Sequence, residues 1–144
     1  MLRVRGYASV FRNTDLGGEV VAPGAFSNWI RENPNKPLRI FWNHAHLYNP
    51  AAKPIGITTA LKQDRKGLFF EGELHDTAEG LEVQELLKAG RMEASFAFHV
   101  TVDEIRKSVR HLTDVAPFEI TAANWGMNPL AFIEAVPDTG DQAP

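Results

Sequence analysis

One serine in this sequence stands in a pattern that could present it to a substrate. Ser95 lies within residues 91–102, where apolar and polar side chains alternate strictly. This period of two predicts a β-strand with one face in a core and Ser95 on the opposite, polar face. A serine hydroxyl becomes a nucleophile when a base lies within hydrogen-bond reach. Ser95 is therefore a candidate nucleophile, although most serines on strands have no catalytic role.

The candidate base and its acidic partner come from two other predicted strands. His44 follows the apolar run at residues 38–43, and an imidazole titrates near neutral pH, as a general base must. A third, acidic group would hold the imidazole tautomer and stabilise its cation. Glu119 would point the same way as Ser95 if their strands are neighbours. Asp114 is the alternative, and since His44 and Ser95 are far apart in sequence, only the fold could bring them together.

Other kinds of catalytic site find less support. The chain has no cysteine, which excludes disulfides, thiolate catalysis and zinc–thiolate sites. It also has no Gly-x-Ser-x-Gly motif, so an α/β-hydrolase is not expected. His44 and His46 could share a metal ion on an extended segment, which makes a metal hydrolase a weaker alternative. Zinc sites need three or four ligands, and the other three histidines show no ligand spacing, so we predict no metal and no cofactor.

Length and composition are those of one small globular domain. The chain has 144 residues and a formal net charge of −3, and no basic tract stands out, so nucleic acid is not an expected partner. No apolar run has membrane-spanning length, and the first five residues lead into a strand rather than a signal peptide. We predict a cytoplasmic protein with one domain over residues 1–136 and a flexible tail over residues 137–144.

The elements that must position these residues are mostly strands. Apolar alternation predicts strands near residues 2–11, 38–43, 55–61, 68–74, 91–102, up to about 121, and 130–136. A helix should begin at a cap on Asp76 and end at Gly90, and a shorter one should follow Pro23. Many short strands with two helices favour a mainly β (α+β) fold, built as a small closed antiparallel β-barrel.

Several short segments, in their order and spacing, resemble one known family. The segments are Gly6–Phe11, Pro23–Phe26, Asn43-His44, Ile55-Gly56, Gly72–Leu74, Ser95–Phe98, Phe118–Thr121 and Asn128–Ala131. Together they resemble the prohead proteases of tailed bacteriophages, the HK97-type capsid maturation family. The resemblance runs from about residue 6 to residue 133. It implies the fold of herpesvirus assemblins, a small β-barrel ringed by short helices.

The resemblance also implies roles for individual residues. The histidine of the family's Asn-His motif corresponds to His44, its serine to Ser95 and its acidic residue to Glu119, where assemblins have a second histidine. By the same likeness, the turn at residues 124–127 would supply backbone N–H groups of Gly126 and Met127 to an oxyanion. The sequence departs from the family pattern after the Asn-His pair, where Ala45-His46 replaces an aspartate that is often found there.

The function implied is a serine endopeptidase that matures a capsid. Its substrates would be segments of the major capsid protein and scaffold, and the chain itself, cut inside the immature prohead in the bacterial cytoplasm. The alternative is a catalytically silent barrel that acts as an assembly or scaffold partner. The resemblance leaves both a monomer and a homodimer open, and it implies neither a nucleic acid nor a membrane partner.

Overall fold

The computed structural model describes residues 1–137, and these contain eight strands and three helices. The strands are β1 Leu2–Val10, β2 Glu19–Val21, β3 Arg39–Trp42, β4 Gly56–Gln63, β5 Gly67–Leu74, β6 Met92–Arg106, β7 Val109–Ala123 and β8 Phe132–Ala135. The helices are α1 Ser27–Glu32, α2 Ala45–Tyr48 and α3 Ala78–Ala89. The tail predicted for residues 137–144 lies outside the described residues, except for Pro137. None of the three helices is both long and apolar enough to cross a membrane.

Seven of the strands close into a barrel, as the sequence predicted. The ring runs β7–β3–β4–β5–β1–β8–β6, and the pairing of β6 with β7 closes it. Closure leaves no free edge among these seven strands. Gly6 permits one tight approach in the ring, because a side chain there would meet the backbone oxygen of Phe132 on β8.

The expectation of a wholly antiparallel barrel needs a correction. Strand β3 pairs in parallel with β7 over Arg39–Trp42 and Glu119–Ala122, and the short β2 also pairs in parallel with β7. The reason is that β2 and β3 pair with successive parts of the same edge of β7, in the same direction, with α1 between them, so no hairpin leads into β3. This parallel pairing has a consequence for the site, since it places the end of β3, and hence His44, beside the end of β7.

The core lies on one face of β6 and β7, and the predicted polar face lies opposite. Ala94, Ile120 and Ala122 are fully buried in the hydrophobic core. The residues between them, including Ser95, Glu119 and Thr121, are also shielded but do not belong to that core cluster. They are shielded because loops cover the outer face of the barrel here, which is how a polar strand face becomes an enclosed site.

The local sequence signals were right about two helices and missed one. Helix α3 ends at Gly90 as expected, but Thr77 rather than Asp76 caps it, since the Thr77 hydroxyl accepts the N–H of Gly80 at 3.1 Å. Asp76 instead accepts hydrogen bonds from Gln84 and the terminal amine. The missed helix α2 is a single turn directly after His44, too short to produce a periodic pattern.

The turn between β4 and β5 shows how polar side chains fix the hairpins. Asp64 accepts the backbone N–H groups of Lys66 and Gly67 and the hydroxyl of Tyr7. Burial and the hydrogen bond to Asp64 raise the pKa of Tyr7 to about 12. Burial would raise the pKa of Asp64 as well, but the three hydrogen bonds outweigh it and lower that pKa. The carboxylate therefore ties β1 to the β4–β5 turn.

Candidate active site

His44 is held in an uncommon backbone conformation directly after β3. Asn43 and His44 have φ values of 47° and 52°, in the left-handed region that non-glycine residues enter at a cost of about 1 kcal/mol or more. Three hydrogen bonds offset this cost: Asn43 N–H to the carbonyl of Ala122, Asn124 N–H to Asn43 Oδ1, and His44 N–H to Thr121 Oγ1. The strained turn aims the imidazole back across the end of β7.

Glu119 contacts the imidazole ring of His44. Glu119 Oε1 lies 2.6 Å from His44 Nδ1, and the Glu119 side chain is only 1 % exposed. An ionised carboxylate only accepts hydrogen bonds, so the Nδ1 atom must carry the proton. His44 Nε2 is then the atom with a free lone pair, and it can take a proton from a hydroxyl. The structure therefore joins the predicted base to the predicted acidic residue.

A bulge in β7 helps to place Glu119. In the pairing of β6 with β7, Ala97 faces Glu119 and Phe98 faces Pro117, so Phe118 is an extra residue on β7. Pro117 has no N–H to donate to the ladder, which is a common reason for such an interruption. The bulge leaves Phe118 partly exposed beside the carboxylate, where its ring contacts the rings of His46 and His99.

Ser95 lies on the neighbouring strand β6, two residue pairs from the pair of Ala97 and Glu119. It faces Thr121 across the β6–β7 ladder and is 7 % exposed. Ser95 and His44 line the same cavity, whose volume is about 410 Å³. The cavity wall is mostly apolar and includes Leu47, Phe96, Phe98, Trp125 and Met127. Ser95 on β6 and His44 after β3 thus meet at one mostly apolar cavity, and Glu119 on β7 contacts His44 from outside the residues that line it.

The rival carboxylate does not take part in this arrangement. Asp114 pairs with Val102 across the β6–β7 ladder and makes no hydrogen bond to His44 among the described residues. Along β7 it precedes Glu119 by five residues, toward the end of the ribbon that leaves the barrel. The alternation of side chains along the strand could not show which of Asp114 and Glu119 faces His44, because the bulge at Phe118 shifts that alternation between them.

The predicted oxyanion loop also lies beside Ser95. Gly126 is buried, and a Cβ atom there would lie 2.5 Å from the carbonyl oxygen of Ala94, so only glycine lets this loop rest on the backbone next to Ser95. The N–H of Gly126 points at Glu93 Oε1 over a long 3.4 Å. Met127 lines the cavity itself.

Sequence reasoning missed two further residues in the site. Thr121 is fully buried, accepts the His44 N–H at 2.9 Å and donates to the carbonyl of Phe41 at 2.9 Å. Ser9, on β1, is a second serine in the cavity, and its buried hydroxyl has no hydrogen-bond partner among residues 1–137. Both were hidden because a polar residue on a strand carries no local signal of what lies across the barrel wall.

The histidine pair at 44 and 46 does not form part of a metal-ligand cluster. Within the described part of the chain, no group of three or more His, Cys, Asp or Glu side chains comes together in a way that could hold a metal ion. His46 turns away from the cavity and stacks on Phe41, with ring centroids 4.4 Å apart.

Comparison with known proteins identifies the family. The sequence model of the caudovirus prohead serine proteases matches residues 1–143. This chain belongs to that family. It is 35 % identical over 101 residues to the prohead protease of Enterobacteria phage HK97, a match that covers 69 % of this chain and 43 % of that protein. The aligned region is therefore less than half the length of that relative.

Solved structures of the same shape come from a herpesvirus. The protease of Kaposi's sarcoma-associated herpesvirus, in complex with a hexapeptide phosphonate inhibitor, matches with a TM-score of 0.65 at 16 % identity, over 95 % of this chain and 65 % of that one. A second structure of that protease, with an allosteric inhibitor, gives a TM-score of 0.56, also at 16 % identity, over 96 % of this chain and 77 % of that one. The predicted assemblin-like barrel is thereby confirmed as the fold of this prohead protease family member.

Thr121→Val tests the support of the strained turn. Valine keeps the shape of threonine but leaves the buried N–H of His44 without an acceptor, so we expect a loss of stability of about 1–2 kcal/mol and a lower kcat. Thr121→Ser keeps the hydroxyl and should stay near wild type in both. Urea unfolding and peptide turnover measure the two effects. Equal behaviour of the valine and serine variants would contradict this role for Thr121.

Proposed function

We propose that this prohead protease family member is a serine endopeptidase that uses Ser95, His44 and Glu119. The observation that carries the proposal is the 2.6 Å contact between a buried carboxylate and His44 Nδ1, on a histidine that shares a cavity with Ser95. Burial of a carboxylate is unfavourable unless the carboxylate is hydrogen-bonded, and His44 Nδ1 supplies that bond. The same contact directs the free Nε2 lone pair away from Glu119.

The chemistry follows from these positions. His44 Nε2 takes the proton of Ser95 as its oxygen attacks a peptide carbonyl, and the Glu119 carboxylate stabilises the imidazolium that forms. His44 then gives this proton to the leaving amine, and an acyl-enzyme remains on Ser95. A water molecule, deprotonated by the same imidazole, hydrolyses the ester. Each step uses His44 alternately as base and acid, which requires the fixed Nδ1–H tautomer that Glu119 provides.

The cavity wall indicates what kind of peptide would bind. Large apolar side chains line it, and three of them are more than half exposed in this structure: Leu47, Trp125 and Met127. Exposed apolar side chains of this size commonly mark a binding surface. We therefore expect an apolar substrate residue close to the scissile bond. Family membership supports the proposal that the substrates are segments of capsid and scaffold proteins, and of the chain itself, inside the immature prohead.

A serine-to-alanine pair tests the function directly. When the chain is co-expressed with the capsid and scaffold proteins of its phage, mass spectrometry should show cleaved products with the wild type and none with Ser95→Ala. Ser9→Ala removes the other serine of the cavity and should leave cleavage intact. Identical products from the wild type and Ser95→Ala would sink the nucleophile assignment and favour the silent assembly-partner alternative.

We further propose that the turn at residues 124–127 stabilises the oxyanion through the backbone N–H groups of Gly126 and Met127, with the Gly126 N–H leaving its long 3.4 Å contact to Glu93 Oε1. Gly126→Val would push the loop off the backbone of Ala94, because its Cβ atom would clash with that carbonyl. Losing an oxyanion donor typically costs about a hundredfold in kcat, so we expect a fall of that order with little change in KM. Circular dichroism controls for folding, and unchanged turnover in a folded variant would rule out this role for the loop.

A further inference from the structure

The Glu119 carboxylate has a second oxygen that the proposed mechanism does not use. Glu119 Oε1 binds His44, but Oε2 is buried and has no hydrogen-bond partner among residues 1–137. A buried carboxylate oxygen without a donor is expensive, because water would otherwise solvate it. In a working site, such an oxygen is expected to find a donor.

His46 offers that donor. Its Nδ1 lies 3.7 Å from Glu119 Oε2, beyond hydrogen-bond distance, and both of its ring nitrogens are buried without a partner in the described part of the chain. A shift of less than about 1 Å would bring Nδ1 within hydrogen-bond reach of Oε2. When this gap closes, His46 Nδ1 and Glu119 Oε2 form one hydrogen bond, and neither atom is left without a partner.

The surroundings of His46 guide such a shift. Its ring stacks on Phe41 at a centroid distance of 4.4 Å and an interplanar angle of 31°, and it meets the edge of Phe118. Stacking on a flat ring permits sliding in the ring plane while it prevents tilting away. His46 is the second residue of the one-turn helix that follows His44, so both imidazoles approach the same carboxylate from one short segment.

We propose that His46 is a positioning residue for the catalytic pair. Its Nδ1–H binds Glu119 Oε2, which fixes the carboxylate and aims Oε1 at His44. His46 itself touches neither substrate nor Ser95 and acts only through Glu119. This inference rests on the proposed function, since it gives a role to the second oxygen of the same carboxylate.

The other charged and titratable groups around His46 are few. His99 from β6, Arg39 from β3 and Lys36 from the preceding loop line the cavity behind the ring. His44 lies on the far side of the carboxylate.

Two substitutions separate positioning from packing. His46→Phe keeps the stacking ring but removes the donor, whereas His46→Asn removes the ring but places an amide N–H close to the position of Nδ1. If His46 positions Glu119, the phenylalanine variant should lose about tenfold in kcat with KM unchanged, and the asparagine variant should retain most of the activity. His99→Phe, which removes a neighbouring imidazole from the same cavity, should behave like the wild type.

Other outcomes overturn the inference. Wild-type activity in His46→Phe would show that the donor is not needed, and a larger loss in His46→Asn than in His46→Phe would show that His46 only packs. A readout without activity protects the test if the phenylalanine variant does not fold. In ¹⁵N-labelled wild-type protein at neutral pH, His46 should carry its proton on Nδ1, and a proton on Nε2 would refute the contact. This tautomer can be read even if no Ser95-dependent cleavage is found, so the two proposals fail separately.

Discussion

The site depends on one buried carboxylate and the histidine that it holds. Glu119 is almost completely shielded from water and has Oε1 2.6 Å from His44 Nδ1. A charge is tolerated at this buried position only because it is hydrogen-bonded. The same bond decides which nitrogen of His44 is basic. The shape of the barrel wall around β7, including its bulge at Phe118, can be understood as the support that keeps this carboxylate in place.

The parallel pairing of β3 with β7 brings the two partners together. It makes both strands run the same way, so that the end of β3 delivers His44 beside Thr121 and Glu119. An antiparallel β3 would place its last residue at the opposite end of this pairing. On the other side of β7, the antiparallel β6 carries Ser95 opposite Thr121. Thr121 therefore lies at the junction of all three strands, and its hydroxyl joins the turn of His44 to the strand wall.

Sequence reasoning could reach the barrel and the three central residues, but not all of their surroundings. The alternation around Ser95 showed that this serine lies on the polar face of its strand. This could be read from the sequence because core-facing residues recur at every second position of a single strand. The choice between Glu119 and Asp114 depended on the bulge at Phe118, which the alternation of residues in the sequence does not reveal. The parallel strand, the single-turn helix after His44 and the roles of Thr121 and His46 depend on contacts between residues that are far apart in the chain, and no local propensity encodes them.

The most direct measurement is the rate at which a fluorophosphonate probe labels Ser95, followed by mass spectrometry of the purified wild type and Glu119→Gln. Glutamine keeps the shape of the side chain but removes the charge, so His44 should lose its fixed tautomer and the support for its cation. We predict that the probe modifies Ser95 in the wild type and does so at least about a hundredfold more slowly in Glu119→Gln. Equal rates in the two proteins, or a label on a residue other than Ser95, would contradict the account.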